Sequence, residues 1–285
     1  LSSGSSFLFM GWELLGFSSV LLIAFYEHRS SPLKNAMRVL FIYEFGDIFF
    51  CALIALLLYF QTEDVTKLAL IQDHGCAWAM VLLILAFFFK SGIFPWIWLP
   101  RAMEGPTPSS AVFYGSLSTH IPIFLLLRFW PKEWSLPAYW PEVWAITHPA
   151  NAIAVAIAIC VFSAFVTTHL SRQHSDAKNT IAYATITQLA IIYIEIFLGF
   201  RTLALVHVVS HGIYRTFEFL RTPSLLHLYH TMETRRPKMT HTGKHFKVLF
   251  PEGLRNWLYS LTINEFGFFS RSFDFIDQFL GLKFM

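Results

Sequence analysis

Long apolar runs recur along the chain as far as about residue 220, and this recurrence constrains its fold more than any other feature. Seven such stretches lie at about 5–26, 36–60, 75–99, 109–130, 149–169, 179–200 and 202–220. A helix needs about 20 apolar residues to cross about 30 Å of hydrocarbon. Within lipid every backbone N–H and C=O must be satisfied by the protein itself, so only helices and closed barrels span. These runs are too long and unbroken for barrel strands. The expected fold is therefore all-α, a polytopic transmembrane helix bundle of about seven spans. Charged residues make up 14% of the chain and hydrophobic ones 55%, whereas a soluble domain carries about 25% charged residues. Too little charge remains to coat a soluble surface. That excludes a cytosolic globule and a disordered chain, and the net charge of +3 excludes a basic nucleic-acid binder. The expected surroundings are membrane lipid.

Beyond about residue 221 the character changes to charges, His, Pro and Gly, with no further span. The expected organisation is a transmembrane domain over 1–221 and an interfacial or cytoplasmic tail over 222–285, ending in amphipathic helices. Lys and Arg set orientation. Arg29, Lys34, Arg38, Arg101, Arg172, Lys178 and nine more in the tail fall on one side, against Lys67, Arg128, Lys132 and Arg201 on the other. The tail and the loops at about 27–35, 100–108 and 170–178 are thus expected to be cytoplasmic, in a bacterial inner (plasma) membrane. The chain starts at Leu1, and residues 1–25 lack the basic start of a signal peptide and carry Glu13. It reads as N-terminally incomplete. Cys51, Cys76 and Cys160 form no CxxC and lie scattered in apolar stretches. They suit neither a disulfide framework nor an iron–sulfur or zinc site.

Ionisable groups inside spans cost about 2.5–3.5 kcal/mol each on insertion scales and are functional candidates by default. This chain has Glu13, Glu44, Asp47, Lys90, Glu195, Arg215 and Glu218, with His120, His207 and His211. So many point to a polar path through the bundle. Lys90 sits mid-span in FFFKSGIFPW, where Gly92 and Pro95 follow and Pro95 removes the amide that would bond the Ser91 carbonyl. A lysine at a broken helix resembles a transporter ion site. The plainer alternative is a lysine that snorkels or plugs freed carbonyls. Glu13 needs a partner, and Lys90 is the natural one. Such a pair at about 4 Å and an effective dielectric of about 20 is worth about 4 kcal/mol.

Glu44 and Asp47, three apart, share a helix face. An interfacial cap-like role stays open for them. Pro122 frees the Ser118 carbonyl beside His120, which either relays protons with Ser118 and Thr119 or satisfies that kink. His207, His211 and Arg215 recur every four residues and form one stripe, with Glu218 placed to pair with Arg215. Two imidazoles and a guanidinium suit proton transfer with charge tuning. The guanidinium argues against zinc there. Gln188 and Glu195, seven apart, share a face of the sixth span. In the tail His227/His230 and His241/His245 have metal-like spacing but no third ligand, so no metal site is expected.

Three segments together resemble one family: GWELLGFSSVLLIAFY (11–26), KSGIFPWIWLPRAMEGPTPSSAVFYGSL (90–117) and YATITQLAIIYIEIFLGFRTLALVHVVSHGIYRTFEFL (183–220). They are similar to the antiporter-like membrane subunits of respiratory complex I and of multisubunit cation/proton antiporters. The resemblance implies that Glu13 and Lys90 form the pair controlling proton movement, that Asp47 is the family's aspartate of the next span, and that His207, His211 and Arg215 match its H-x-x-x-H-x-x-x-(K/R) pattern. It also implies that the span bearing Lys90 is the discontinuous helix of one inverted repeat.

Two features depart from that pattern. Tyr114 stands where relatives carry histidine, and a polar tail replaces further helices. YGSLSTHIPIFLLLRF, RTFEFLRTPSLLH and the terminal PEGLRNWLYSLTINEFGFFSRSFDFID look like a narrower branch, the DabB-type subunits of energy-coupled inorganic-carbon pumps. That branch implies about four helices ahead of GWE. It also implies a large cytoplasmic partner of DabA type, a zinc subunit similar to β-carbonic anhydrases. The expected function is then gradient-driven CO2/bicarbonate uptake. The alternatives are a proton-pumping subunit of an NADH–quinone oxidoreductase or a multisubunit Na+/H+ antiporter, and a passive membrane anchor. No cofactor or catalytic group is expected in this chain, and zinc only in the partner.

Overall fold

The computed structural model describes residues 4–60, 74–130, 149–174, 176–222 and 251–263, with Gln278. In chain order the helices are α1 (Ser5–Ile23), α2 (Ser30–Tyr59), α3 (His74–Ser91), the single turn α4 (Trp98–Arg101), α5 (Thr107–Val112), α6 (Ile121–Phe129), α7 (Pro149–Ser171), α8 (Ala177–Phe197), α9 (Arg201–Arg221) and α10 (Glu252–Ile263). A 3-10 turn, Ala102–Glu104, follows α4, and a π-helical turn, Phe113–Leu117, joins α5 towards α6. No strand occurs among the described residues.

Five helices are long and apolar enough to cross a membrane: Ser5–Ile23, Ser30–Tyr59, Thr107–Phe129, Asn151–Ser171 and Ala177–Phe197. The other two expected spans differ for separate reasons. Helix α3 runs His74–Ser91 and ends one residue after Lys90, whereas the expected span continued to about residue 99. Helix α9 is long enough at 21 residues, but its histidines, arginines and Glu218 dilute its apolarity.

Neighbouring helices pack in pairs, α1 with α2, α2 with α3 and α7 with α8, while α9 lies against α8, α5 and the π turn. Aromatic side chains fill the centre: Tyr43, Phe50, Phe87, Phe88, Trp98, Tyr193 and Phe197 are fully buried. Large apolar side chains also cover the outside, among them Phe7, Leu14 and Leu21 on α1 and Val206, Val209 and Ile213 on α9. That arrangement suits lipid as the surrounding solvent.

The break after Lys90 is built from identifiable parts. Gly92 has φ 75°, and a Cβ there would meet the Trp98 indole at 3.3 Å. Freed carbonyls are recaptured by side chains. Trp98 Nε1 donates to Phe89 O at 2.9 Å, and the Ser163 hydroxyl donates to Ile93 O at 2.8 Å. Lys90 is therefore not what satisfies the broken helix.

The three loops that the basic residues assign to one side meet at one end of the bundle. Ser31 and Asn35 both donate to Glu104 Oε1 at 2.6 Å, and Arg101 donates to Asn35 Oδ1 at 3.2 Å. Lys178 donates to Gly105 O at 2.9 Å. Burial, reinforced by neighbouring Arg38, lowers the Arg101 guanidinium to about 10.

Helix α9 closes tightly on the π turn. A Cβ at Gly115 would lie 3.0 Å from both the Cα and the backbone N of Thr216. Backbone cannot rotate aside as a side chain can, so Gly115→Ala is expected to lower stability by about 1–3 kcal/mol through overpacking. Thermal unfolding in detergent measures it, and an unchanged midpoint would show that the two segments are not in contact.

Candidate ion-translocation site

Helical spacing brings the first group of polar residues together. Trp12, Gly16, Ser19 and Ile23 form the buried face of α1, and Tyr43, Gly46, Asp47 and Phe50 that of α2. Lys90 ends α3 between these faces and is 1% exposed. Its ammonium lies 3.6 Å from Asp47 Oδ2, beyond hydrogen-bond length. It also sits 4.2 Å from the Tyr43 ring centroid and 5.0 Å from that of Trp12. The other Asp47 oxygen accepts from Trp12 Nε1 at 2.5 Å. Gly16 makes room for the lysine, since a Cβ there would fall 2.6 Å from Nζ.

Lys90 Nζ and Asp47 Oδ2 are buried without a hydrogen-bond partner. They border a cavity of about 250 Å³ whose wall also includes Glu13, Glu44 and Tyr43. Glu13 is half-buried and Glu44 exposed.

The lysine's ion pair is thus with Asp47, not with Glu13 as the sequence suggested. The reason is rotational. Trp12 and Gly16, four apart, occupy the face of α1 that meets α3, which turns Glu13 towards the cavity mouth. Glu44 follows it there, midway along α2 rather than capping its end.

The second group begins where the first stops. The Tyr43 hydroxyl lies 3.3 Å from Ser118 Oγ, next in sequence to Thr119. Thr119 Oγ1 donates to Tyr114 O at 3.1 Å and lies 3.1 Å from His120 Nδ1. His120 Nε2 and His211 Nδ1 are 2.9 Å apart, and Arg215 Nε donates to His211 Nε2 at 3.1 Å. Arg215 in turn forms a short ion pair with Glu218. His207 faces Glu195 instead, Nδ1 to Oε1 at 2.9 Å, with its ring centroid 6.2 Å from that of His211.

His120 Nδ1 lies 3.1 Å from Thr119 Oγ1 and its Nε2 2.9 Å from His211 Nδ1, contacts that a relay would use, while Thr119 bonds Tyr114 O and not the Ser118 carbonyl that Pro122 frees. Gln188 is half-buried on α8 and stands apart from this chain of contacts. Tyr43 was not singled out by the sequence. Its position one turn before Asp47 on the same face was the available signal. The tail histidines 227, 230, 241 and 245 lie outside the described residues. Among the described residues no group of three His, Cys, Asp or Glu could hold a metal.

A multi-pass helical bundle with a buried lysine–aspartate pair and a histidine–arginine stripe defines an ion-handling class of membrane protein. Residues 5–242 match the family described as "NADH:quinone oxidoreductase/Mrp antiporter, TM". The chain belongs to that family. It is 31% identical over 225 residues to NADH-ubiquinone oxidoreductase chain 5 of Pongo abelii, covering 77% of this chain and 35% of the relative. It is 30% identical over 240 residues to NADH-quinone oxidoreductase subunit L of Rhodobacter capsulatus, covering 78% and 32%. In fold it is similar to a chain of the Mrp complex from Dietzia sp. DQ12-45-1b, with a TM-score of 0.66 and 25% identity over 77% of this chain and 24% of that one. The chain spans about a third of the length of the curated relatives it matches. It is an antiporter-like membrane subunit of complex I/Mrp type.

Proposed function

We propose that the chain moves cations, protons foremost, through Asp47, Lys90, Tyr43, Ser118, Thr119, His120 and His211, within a multisubunit membrane complex. Arg215, His207, Glu195 and Glu218 set the local charge, while Glu13 and Glu44 stand at the cavity mouth and attract the cation. One observation carries this reading. A lysine with 1% exposure is paired at 3.6 Å with a single carboxylate beside an open cavity. A static structural pair would instead be packed and fully hydrogen-bonded. This pair has slack that a passing cation or proton can take up. The test is proton movement into membrane vesicles carrying the complex, followed with a pH-sensitive dye. Wild-type rates in Asp47→Asn would end the proposal.

Similarity to complex I and Mrp subunits favours a quinone oxidoreductase or a Na+/H+ antiporter as the host assembly. The reading as a CO2/bicarbonate uptake subunit with a cytoplasmic zinc partner rests on the polar tail, 222–285. In α10, the exposed Leu254 and Trp257 lie within an amphipathic pattern that suits an interface or a partner. The Lys and Arg count of the sequence favours the cytoplasmic side for the tail, and in this reading the tail forms part of the seat for a soluble subunit. Truncation at Lys247 is expected to leave membrane insertion intact while co-purification of the soluble partner drops to background. Partner recovery at wild-type levels would assign the segment to the lipid interface alone. A zinc protein in the co-purified fraction would favour the carbon pump, and a quinone-oxidoreductase or antiporter subunit the other two.

A further inference from the structure

We infer that Arg215 is a latch that holds the His211–His120 pair in one tautomeric polarity and bars an extra proton from it until the guanidinium withdraws towards Glu218. The inference rests on the proposed proton path and adds how that path is closed. Both ends of the contact chain have fixed donors. A guanidinium N–H can only donate, so His211 Nε2, 3.1 Å from Arg215 Nε, must be the bare nitrogen. The His211 proton is then on Nδ1 and points at His120 Nε2, 2.9 Å away. His120 therefore accepts at Nε2 and carries its own proton on Nδ1, directed at Thr119 Oγ1 at 3.1 Å. At the far end the Thr119 hydroxyl donates to Tyr114 O, which leaves Thr119 Oγ1 free to accept. The two ends thus demand the same direction, and every ring nitrogen is assigned.

An additional proton has no place in this arrangement. On His211 Nε2 it would face the Arg215 N–H. On His120 Nε2 it would face the His211 N–H. Only removal of Arg215 from His211 opens a lone pair, and Glu218, already ion-paired with Arg215 one turn further along α9, supplies a place for the guanidinium to go. The other ionisable neighbours, His207 and Glu195, bond each other and leave the Arg215–His211 contact alone. Arginine suits this role because its planar fork fixes the directions in which its N–H groups donate, to His211 on one side and Glu218 on the other.

The experiment is nitrogen NMR of ring-labelled histidine in the full-length protein in nanodiscs, with His120, His207 and His211 assigned by single substitutions. The two neutral tautomers differ in which ring nitrogen is protonated and give distinct shifts. In the wild type, His211 and His120 are expected as Nδ1–H tautomers. In Arg215→Gln the ratio of Nδ1–H to Nε2–H at His211 is expected to fall about tenfold or more, the size of one hydrogen bond to a charged group. His207, held by Glu195, should keep its shifts and so reports that the bundle is intact. An Nε2–H tautomer at His211 in the wild type, which needs no variant to fold, would overturn the latch. So would an unchanged ratio in Arg215→Gln with His207 unmoved. The readout does not depend on transport. A confirmed tautomer with full proton movement in His211→Ala would sink the path and leave the latch standing.

Discussion

Lys90→Met is expected to abolish gradient-driven proton movement while leaving assembly of the complex intact. Among the described residues, Lys90 is the one fully buried lysine, and the cavity that reaches it is lined by Glu13, Glu44 and Asp47. Without the ammonium these carboxylates have no cation to exchange against. Methionine fills a similar volume, so the aromatic packing from Trp12 and Tyr43 survives. Asp47 keeps its bond from Trp12 Nε1. Breaking a buried pair nonetheless costs about 3–5 kcal/mol, so the variant should unfold at lower temperature than wild type. Two measurements decide. Dye-reported proton movement in vesicles should fall to the level of vesicles without the complex, and co-purification with partner subunits should persist. Normal proton movement in a correctly assembled Lys90→Met complex would remove Lys90 from the path.

The sequence made the helical bundle legible because lipid permits few alternatives. Twenty-residue apolar runs have one reading, and the polar stripe on α9 follows from four-residue spacing alone. Lys90 stood out because every residue from Cys76 to Phe89 ahead of it is apolar. Contacts between helices could not be read in the same way. Whether Lys90 meets Asp47 or Glu13 depends on the rotation of α1 about its axis. Trp12 and Gly16 set that rotation, one by bonding Asp47 and the other by giving up its side chain. His120 and His211 are 91 residues apart, and only the approach of α9 to the π turn, at Gly115, brings the rings together. The same holds for Tyr43, whose bond to Ser118 bridges 75 residues. The family resemblance placed Asp47, Lys90 and the stripe in one functional set but did not give their pairing.

That pairing supports a second strong expectation, that Asp47 and Lys90 act as one unit and Glu13 does not belong to it. Asp47→Asn removes the carboxylate charge 3.6 Å from Nζ and leaves the ammonium with two aromatic faces and the carboxylates of Glu13 and Glu44 across the cavity. It should destabilise by about 3–5 kcal/mol, as the lysine change does. The double variant, Asp47→Asn with Lys90→Met, removes both members of the ion pair and should be little worse than either single change. The coupling expected for a contacting pair of this kind is about 0.5–3 kcal/mol, and burial places it at the upper end. Glu13 is different, since it is half-buried at the cavity mouth and does not share the ion pair. Glu13→Gln with Lys90→Met should therefore come closer to additivity, with coupling well below that of the Asp47 cycle. Unfolding midpoints of the six proteins in one detergent, with urea or heat as the perturbant, supply both cycles. Equal coupling in the two cycles would mean that α1 is rotated from the position described, with Glu13 facing the lysine. A larger coupling for Glu13 would restore the glutamate–lysine pair that the sequence suggested and make Asp47 its spectator.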